Sequence, residues 1–401
     1  MTDQIAGSVL VLNAGSSSLK YQLVHPSSEV VIAEGIAERI GEDEGTITHV
    51  QAGEEITEKL ELLDHAAAIG RVMALFAEGG IDLANAGLSA VGHRVVHGGR
   101  TFFEPTLIDD YVISEIERIS SLAPLHNPAN LTGIQAARDK LPDVPSVAVF
   151  DTAFFHALPE AAATYAIDRG VAKLHAIRRY GFHGTSHQFV SEQVPDLLGK
   201  EPSDVNQIVL HLGNGASASA IRGGDPIDTS MGMTPLEGLV MGTRSGDIDP
   251  GVVLHLHRVV KLNADQINTL LNKNSGLKGL CGDNDFRSVT KRIADGDPAA
   301  KLAYDVYIHR LRRYIGAYMI DLGRVDAITF TAGVGENAAS VRADALAGLE
   351  NYGIVVDPER NVVRSRQPRR ISTDDSPVAV LVVPTNEELA IARQSAEVVE
   401  G

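Results

Sequence analysis

The sequence predicts an α/β fold organised in two domains. Short apolar runs rich in β-branched residues alternate with helical segments along the whole chain, which is typical of α/β proteins rather than of helical bundles or β-sandwiches. The 401 residues, 44% of them apolar, are enough for two or three domain cores of ordinary size. Two similar hairpin patterns about half a chain apart further indicate that one α/β unit occurs twice.

Short apolar runs between turn residues are predicted to be strands. Residues 9–24 and 208–221 both have the pattern strand, small polar turn, strand. A duplicated unit would place the two hairpin tips across a cleft from one another, whereas a chance similarity of two hairpins is the alternative. The predicted strands are Val9–Leu12, Leu19–Val24, Val30–Ile36, Val147–Phe150, Ile208–Leu212, Ser217–Ile221, Ala327–Thr331 and Val378–Val383.

Helix starts are predicted from residues that favour capping. In the last of these helices Glu388 would be used by a capping box, which leaves Glu387 in the first turn to meet a cation. The predicted caps are Asn127 before Pro128 (helix ending before Pro142), Asp249 before Pro250 (helix ending near Val260), Thr185 with Gln188, and Thr385 with Glu388.

Charge and cysteine content exclude several classes of protein. Against 35 Lys and Arg stand 52 Asp and Glu, and the resulting net charge of −17 repels nucleic acid and anionic membranes. Cys281 is the single cysteine, which fits a reducing cytosol. No apolar run approaches the roughly 20 residues of a membrane span, and the run Val9–Leu12 after Asp3 does not have the features of a signal peptide. The sequence predicts a soluble, cytoplasmic protein without nucleic-acid or membrane partners.

The first hairpin tip, NAGSSSLK at residues 13–20, has the composition of an anion site. Small residues let backbone amides approach phosphate oxygens, Lys20 adds positive charge, and Asn13 could hold a metal ion or its water. The spacing of a P-loop is absent and a strand follows, so this is not a Walker motif. A plain polar turn is the alternative interpretation.

Two further glycine turns are HLGNG at residues 211–215 and GVGEN at residues 333–337. The second follows a predicted strand and precedes Val341, Leu346 and Leu349 at helical spacing, so its amides are expected at the positive end of a helix. A single GxG is weak, but three such turns in one acidic chain point jointly to a nucleotide.

Charged and imidazole side chains supply the remaining candidates. Arg94 and Arg244 lie among glycines and apolar residues, and a guanidinium there suits a carboxylate or phosphate. His183 and His126 precede predicted helix starts, which favours hydrogen-bond donation to an anion, while the spacing disfavours zinc. Asp151 ends a strand, where open α/β sheets present catalytic groups. Structural ion pairs, packed histidines and a turn-capping aspartate are the alternatives.

Together these motifs resemble the acetate kinases, of the superfamily that joins acetate and sugar kinases, heat-shock ATPases and actin. The match spans nearly the whole chain in the family's order. One departure is Phe155 before His156, so His156 is assigned no role. The motifs are NAGSSSLK, GHRVVHGG, APLHNP, FDTAF, RYGFHGTSH, HLGNG, DTSMGMTPLEGLVMGTRSGDIDP, NDFR, FTAGVGEN and PTNEELAIA.

The resemblance implies two actin-like (ribonuclease H-like) α/β domains with a nucleotide cleft between them. Residues 1–152 with 385–401 would form the N-terminal domain, and residues 153–384 the C-terminal domain that carries most of the nucleotide site. It also implies a homodimer that transfers the γ-phosphoryl group of ATP reversibly to acetate, giving acetyl phosphate and ADP. Mg²⁺ is the implied metal, with Mn²⁺ able to substitute.

Roles for individual residues follow from the same resemblance. His183 and Arg244 would stabilise the transferring phosphoryl group, and Arg94 would hold the acetate carboxylate. Asp151 would be the essential carboxylate, acting either as a proton acceptor or by orienting Arg94, because acetate is already ionised at neutral pH. The other assignments are Asn13 and Glu387 for the metal; Lys20, His211, Leu212, Gly213, Asn214, Gly215, Asp285, Phe286, Arg287, Gly333, Val334, Gly335, Glu336 and Asn337 for ATP; and Val96, Leu125, Phe182 and Pro235 around the acetate methyl group.

Two other functions remain open at this point. A propionate or butyrate kinase would use the same phosphoryl machinery, and relative turnover of two-, three- and four-carbon acids separates it from an acetate kinase. An ATP-regulated binding module of the actin or chaperone kind would not need an arginine that grips a carboxylate. Steady ATP hydrolysis unaffected by acetate would favour that second alternative.

Overall fold

The computed structural model describes residues 5–15 and 17–401; Ser16, in the first predicted hairpin tip, and residues 1–4 lie outside the described residues. The chain divides into two compact units, one up to His156 together with Asn386–Gly401 and the other Ala157–Thr385. Both units are α/β, as predicted.

The strands are β1 (Val9–Ala14), β2 (Ser18–Val24), β3 (Val31–Glu38), β4 (Gly45–Gln51), β5 (Glu54–Leu60), β6 (Ala90–Val95), β7 (Thr106–Leu107), β8 (Ser146–Phe150), β9 (Asn206–Leu212), β10 (Ala216–Arg222), β11 (Asp225–Thr229), β12 (Ala327–Thr331), β13 (Arg369–Arg370) and β14 (Ala379–Val382). The α-helices are α1 (His65–Glu78), α2 (Asp110–Ile119), α3 (Asn127–Lys140), α4 (Glu160–Ala163), α5 (Arg169–Leu174), α6 (Gly184–Leu198), α7 (Pro250–Arg258), α8 (Ala264–Lys273), α9 (Gly276–Cys281), α10 (Phe286–Ala294), α11 (Pro298–Leu322), α12 (Ala332–Asn337), α13 (Ala339–Leu346), α14 (Pro358–Val362) and α15 (Glu387–Glu400).

The sheet of the first unit has the strand order β5-β4-β3-β2-β1-β6-β8-β7. Neighbours from β5 to β1 are antiparallel, whereas β6 runs parallel to both β1 and β8. Helices α3 and α15 pack against β1 and β6, so the last helix of the chain belongs to the first unit. Strand β8 is buried along its whole length, as expected for a strand covered on both faces.

The second unit repeats this plan. Its sheet has the order β11-β10-β9-β12-β14-β13, in which β11, β10 and β9 are antiparallel and β12 runs parallel to β9 and β14. The arrangement of β11-β10-β9-β12-β14 is therefore that of β3-β2-β1-β6-β8 in the first unit. The duplicated α/β unit inferred from the two hairpins is confirmed.

All of the predicted strands are present, with ends that differ by at most two residues from those predicted. Helix α7 also begins as predicted, because Asp249 accepts a hydrogen bond from the Gly251 amide at 2.8 Å, and it ends at Arg258 rather than near Val260. The GVGEN segment follows a strand and lies at the start of a helical region, as predicted, but it is not a turn: it lies inside the short helix α12, which begins directly after β12. Among the described residues, no helix has the length and apolar composition of a membrane crossing.

Three predicted N-caps are wrong. Asn127 is already the first residue of α3, and its side chain instead bonds the backbone of His97, accepting from its N–H at 3.1 Å and donating to its carbonyl at 3.0 Å. Thr185 lies inside α6. Thr385 precedes the true cap of α15, Asn386, whose side chain accepts from the Leu389 amide. The N-cap residues of α3 and α6, His126 and His183, make no capping hydrogen bond with their side chains, so of these three helices only α15 has a side-chain cap.

Candidate active site

Strands β6 and β8 bring an arginine and an aspartate together in the first unit. Arg94 lies near the end of β6, and Asp151 directly follows β8, the parallel neighbour of β6. The Nε and Nη2 atoms of Arg94 donate to the two carboxylate oxygens of Asp151 at 2.8 and 2.7 Å. The Asp151 side chain is only 2% exposed. Two parallel charge-assisted bonds hold the guanidinium plane in one orientation.

Arg94 also lies beside an amide and a second carboxylate. Its Nη1 donates to Asn13 Oδ1 at 3.5 Å, and its Nε is 3.9 Å from Glu387 Oε2. Burial lowers the pKa of Arg94, but the carboxylates of Asp151 and Glu387 outweigh burial and raise that pKa above its usual value. Burial raises the pKa of the Glu387 carboxyl, although Arg94 acts in the opposite direction. We refer to Asn13, Arg94, Asp151 and Glu387 as the arginine cluster.

The carboxylate next to Glu387 has a different partner from the one predicted. Glu388 is not used in a capping box; its Oε1 lies 2.5 Å from Lys20 Nζ. The Lys20 side chain is half exposed and the Glu388 side chain mostly buried. Lys20, expected at the nucleotide phosphates, is therefore held by an ion pair within the first unit.

The arginine cluster offers oxygen ligands of the kind that Mg²⁺ prefers. Asn13 supplies an amide oxygen, and Glu387 supplies a carboxylate whose side chain is 20% exposed and whose pKa is raised by burial and by the neighbouring carboxylates. In the described part of the chain, no group of three or more His, Cys, Asp or Glu side chains is arranged to hold a metal ion. Mg²⁺ is usually bound through one or two protein ligands together with water and substrate phosphates, so the two predicted ligands fit it.

A buried asparagine that the sequence analysis missed supports this cluster. The Asn130 Nδ2 donates to the carbonyl of Ala14 at 2.7 Å, and its Oδ1 accepts from the Val96 amide at 3.1 Å. It thereby joins the ends of β1 and β6, whose parallel pairing stops at Leu12 and His93. Asn130 lies three residues after Asn127 on the same face of a helix, and this spacing was the signal available in the sequence.

The predicted pocket residue Leu125 is 40% exposed.

The second unit contains a cavity of about 990 Å³, of the size that small-molecule ligands occupy. Apolar side chains that were not predicted, such as Leu277 and Tyr307, also line it. Five of the residues predicted at the nucleotide do not line the cavity: His211, Leu212, Gly215, Gly335 and Glu336. The predicted residues that do line it are Gly213, Asn214, Asp285, Phe286, Arg287, Gly333, Val334 and Asn337.

Three histidines lie together in the same unit. His183 is the N-cap residue of α6 and has a left-handed backbone with φ of 59°. Its ring stacks on His211 with a centroid distance of 4.3 Å, and the rings of His187 and His211 are 6.1 Å apart. Burial, and then the charge of His211, lower the pKa of His187 well below its usual value, so its ring is neutral. We refer to these three side chains as the histidine cluster.

A glycine of the HLGNG turn lies between His183 and Arg244. A Cβ atom added to Gly215 would lie 3.4 Å from His183 Nε2 and 3.6 Å from Arg244 Nη1. Arg244 Nη1 also donates to the carbonyl of Pro235 at 3.2 Å. Phe182, expected at the acetate methyl group, is almost fully buried. The two groups expected to stabilise a phosphoryl group therefore meet at one glycine.

A duplicated α/β fold with a glycine-lined cavity in its second unit indicates the class of actin-like proteins that use nucleotides. The chain belongs to the Acetokinase family, whose family model matches residues 8–393. It is 60% identical over 389 residues to the acetate kinase of Streptomyces avermitilis, covering 96% of each chain.

Solved structures of similar proteins agree with this family. The chain is 41% identical to the acetate kinase of Porphyromonas gingivalis, with a TM-score of 0.92 and coverage of 98% of this chain and 100% of that one. It is also 41% identical to a propionate kinase from Francisella tularensis, with a TM-score of 0.91 and coverage of 97% and 98%. The family and the two-domain actin-like fold inferred from the motifs are thus confirmed.

Proposed function

We propose that the protein transfers the γ-phosphoryl group of ATP to acetate by direct in-line transfer, reversibly and with Mg²⁺, giving acetyl phosphate and ADP. The observation that carries the proposal is the Arg94 guanidinium, fixed in plane by both oxygens of Asp151 in a chain of the Acetokinase family. A charged, oriented guanidinium is suited to the carboxylate of a short fatty acid.

Asp151 acts in this proposal by orienting Arg94. Both of its oxygens already accept hydrogen bonds from the guanidinium, and acetate is ionised at neutral pH, so its oxygen can attack without losing a proton. A carboxylate that accepts a substrate proton is therefore not required. Val96, which is mostly buried next to the Asn130 bond, would contact the acetate methyl group.

The second unit would bind the nucleotide and stabilise the transferring group. Phosphoryl transfer depends mainly on aligning donor and acceptor and on neutralising charge at the phosphoryl oxygens. His183 and Arg244, which meet at Gly215, would donate hydrogen bonds to those oxygens. The 990 Å³ cavity would hold the rest of ATP.

Asn13 and Glu387 would hold the Mg²⁺ of the Mg–ATP complex, with Lys20 close by to contact its phosphates. When bound, the metal neutralises phosphate charge and helps to orient the nucleotide.

Trapping of the product tests the proposal directly. The protein is incubated with ATP, Mg²⁺ and acetate, and acyl phosphate is converted to a hydroxamate by hydroxylamine. We expect hydroxamate that depends on all three components, and a greatly reduced yield from Arg94→Ala. ATP hydrolysis that is the same with and without acetate, and that gives no hydroxamate, would contradict the proposal and favour an ATP-regulated binding module.

A propionate kinase is the second candidate, because a solved propionate kinase is as similar in sequence to this chain as the solved acetate kinase is. Parallel assays with acetate, propionate and butyrate separate the two through kcat/KM. We also propose that the protein is a cytoplasmic homodimer; light scattering of the purified protein would measure its mass against the 42.7 kDa of one chain.

A further inference from the structure

A chain of hydrogen bonds leads from the interior of the second unit to His183. Ser219 Oγ lies 2.8 Å from His187 Nδ1, His187 Nε2 lies 2.7 Å from Ser217 Oγ, and Ser217 Oγ lies 2.9 Å from His183 Nδ1. Ser217, Ser219 and His187 are completely buried. We refer to Ser219, His187 and Ser217 as the relay.

The arrangement follows from the periods of a strand and a helix. Ser217 and Ser219 are two residues apart on β10 and point to the same face of the sheet. His187 lies in the first turn of α6, and its amide donates to the carbonyl of the N-cap residue His183 at 2.9 Å, which brings the two residues together at the start of the helix. The strand therefore presents two hydroxyls at the spacing needed to meet two stacked turns of the helix.

With both imidazoles neutral and Ser217 donating within the chain, two directions are possible for these hydrogen bonds. A neutral imidazole has one N–H, and each hydroxyl has one proton to donate. In the first direction Ser219 donates to His187 Nδ1, His187 Nε2–H donates to Ser217, and Ser217 donates to His183 Nδ1. In the reverse direction His183 donates from Nδ1. The first direction places the proton of a neutral His183 on Nε2, whereas the reverse direction leaves that atom without one.

We propose that the relay runs in the first direction and that Ser217 and His187 are positioning residues that hold His183 in its Nε2–H form. This inference rests on the proposed function, because phosphoryl oxygens accept hydrogen bonds and only the Nε2–H form of a neutral His183 donates from that atom. The Cε1–Nε2 edge of the His183 ring faces Gly215, because a Cβ atom added to that glycine would lie 3.4 Å from both atoms, and the same Cβ would lie 3.6 Å from Arg244 Nη1. The bond from Ser217 also restrains the ring on a left-handed backbone, which for a non-glycine residue needs such support.

The neutral state of His187 is consistent with this role. A charged His187 would donate from both nitrogens. Ser217 would then accept a hydrogen bond from His187 Nε2–H whatever the tautomer of His183. The neutral His187 ring has one N–H and lies between the hydroxyls of Ser217 and Ser219. If its proton is on Nε2, it donates to Ser217 and accepts from Ser219; if its proton is on Nδ1, both bonds reverse. The tautomer of His187 therefore sets the direction of every hydrogen bond in the relay.

Nitrogen-15 NMR of histidine-labelled protein tests the tautomer without reference to activity. His183 is assigned from the signals lost in His183→Gln. We expect the Nε2–H form of neutral His183 in the unmodified protein, and a shift toward a mixture of tautomers in Ser217→Ala. Ser186→Ala is the matched control, because Ser186 Oγ makes an equivalent buried bond to His211 Nδ1 at 2.7 Å and should leave the His183 tautomer unchanged. An Nδ1–H form in the unmodified protein would overturn the proposal.

Kinetics supply the second arm. Ser217→Ala should lower kcat about tenfold, the effect of one weakened hydrogen bond in the transition state, with the KM values for ATP and acetate within about twofold. His187→Gln keeps an N–H near the position of Nε2 and should retain more kcat than His187→Leu. Equal losses of kcat in His187→Gln and His187→Leu, or an effect of Ser217→Ala confined to KM, would show a purely structural role. Absence of any acetate phosphorylation would instead reject the proposed function, while the tautomer measurement would still decide on the relay.

Discussion

The arginine cluster and the histidine cluster hold their polar side chains in opposite ways. In the first unit the groups are ionised and paired, with Arg94 bonded to both oxygens of a nearly inaccessible Asp151. In the second unit the imidazole of His187 is neutral and is held by hydroxyls, and a glycine lets Arg244 and His183 approach one point. Loss of one member should leave an unpaired buried charge in the first cluster but only a missing donor in the second.

The largest effect is therefore expected for Arg94→Ala. It removes the group that would bind acetate and leaves the buried Asp151 and the partly exposed Glu387 without their cation, so kcat/KM for acetate should fall on the order of 10³-fold. The free energy of unfolding should fall by about 3 kcal/mol, the lower end for a broken buried pair because the Arg94 side chain is 19% exposed. The hydroxamate assay and chemical denaturation measure the two effects. An active or fully stable variant would break the comparison.

Substitution of His183, a member of the histidine cluster, or of Arg244 beside it should lower kcat much more than it lowers the free energy of unfolding. His183→Ala and Arg244→Ala each remove a donor that acts chiefly in the transition state, so kcat should fall about 10²-fold or more while the nucleotide KM changes little. Denaturation of the same variants is the check, since their loss of stability should be clearly smaller than that of Arg94→Ala. Near-normal kcat in both variants would contradict the assigned roles.

The adjacent carboxylates of α15 test the metal assignment within the arginine cluster. Glu387→Ala should raise the Mg²⁺ concentration needed for half-maximal rate about tenfold, because it removes a proposed ligand. Glu388→Ala is the matched control: it releases Lys20, should alter the nucleotide KM a few-fold, and should leave the Mg²⁺ requirement unchanged. The N-cap of α15 is Asn386, so Asn386→Ala should lower the free energy of unfolding by about 1 kcal/mol. A Mg²⁺ effect in Glu388→Ala would show that the roles are reversed.

Parts of both units could be predicted from local pattern and other parts could not. Strands β8 and β14 contain the continuous apolar runs Val147–Phe150 and Ala379–Val382 and were found. Strand β6 was missed because Gly92, His93 and Arg94 interrupt its apolar sequence. Arg94 itself stood out by its setting among glycines. Ser217 and Asn130 did not, because a serine in a strand or an asparagine in a helix acquires its role only from the residues that folding brings to it.

Acceptor choice depends on the neighbourhood of the arginine cluster. Val96 is mostly buried, and Val96→Ala would remove two methyl groups from the proposed wall around the acetate methyl. A hydrophobic pocket discriminates one methylene by about 10- to 200-fold, so the ratio of kcat/KM for propionate to that for acetate should rise up to about tenfold. ATP kinetics should stay nearly unchanged. An unmoved ratio, or a natural preference for propionate, would reject this pocket.

The smallest expected effect contrasts one carboxyl in each unit. Glu336 accepts from the Thr385 amide at 3.3 Å, and burial raises its pKa although backbone hydrogen bonds and Arg369 oppose the shift. Its ionised form therefore weakens the folded state, and this penalty grows as pH rises from the pKa of an unfolded glutamate, about 4.3, through the higher folded pKa. Glu336→Gln should raise Tm at pH 7 on the order of 1 °C, with no difference near pH 4. Asp151→Asn should lower Tm at pH 7, since it removes the partner of Arg94; a change of the same sign in both variants would show that the two units do not differ in how they hold charge.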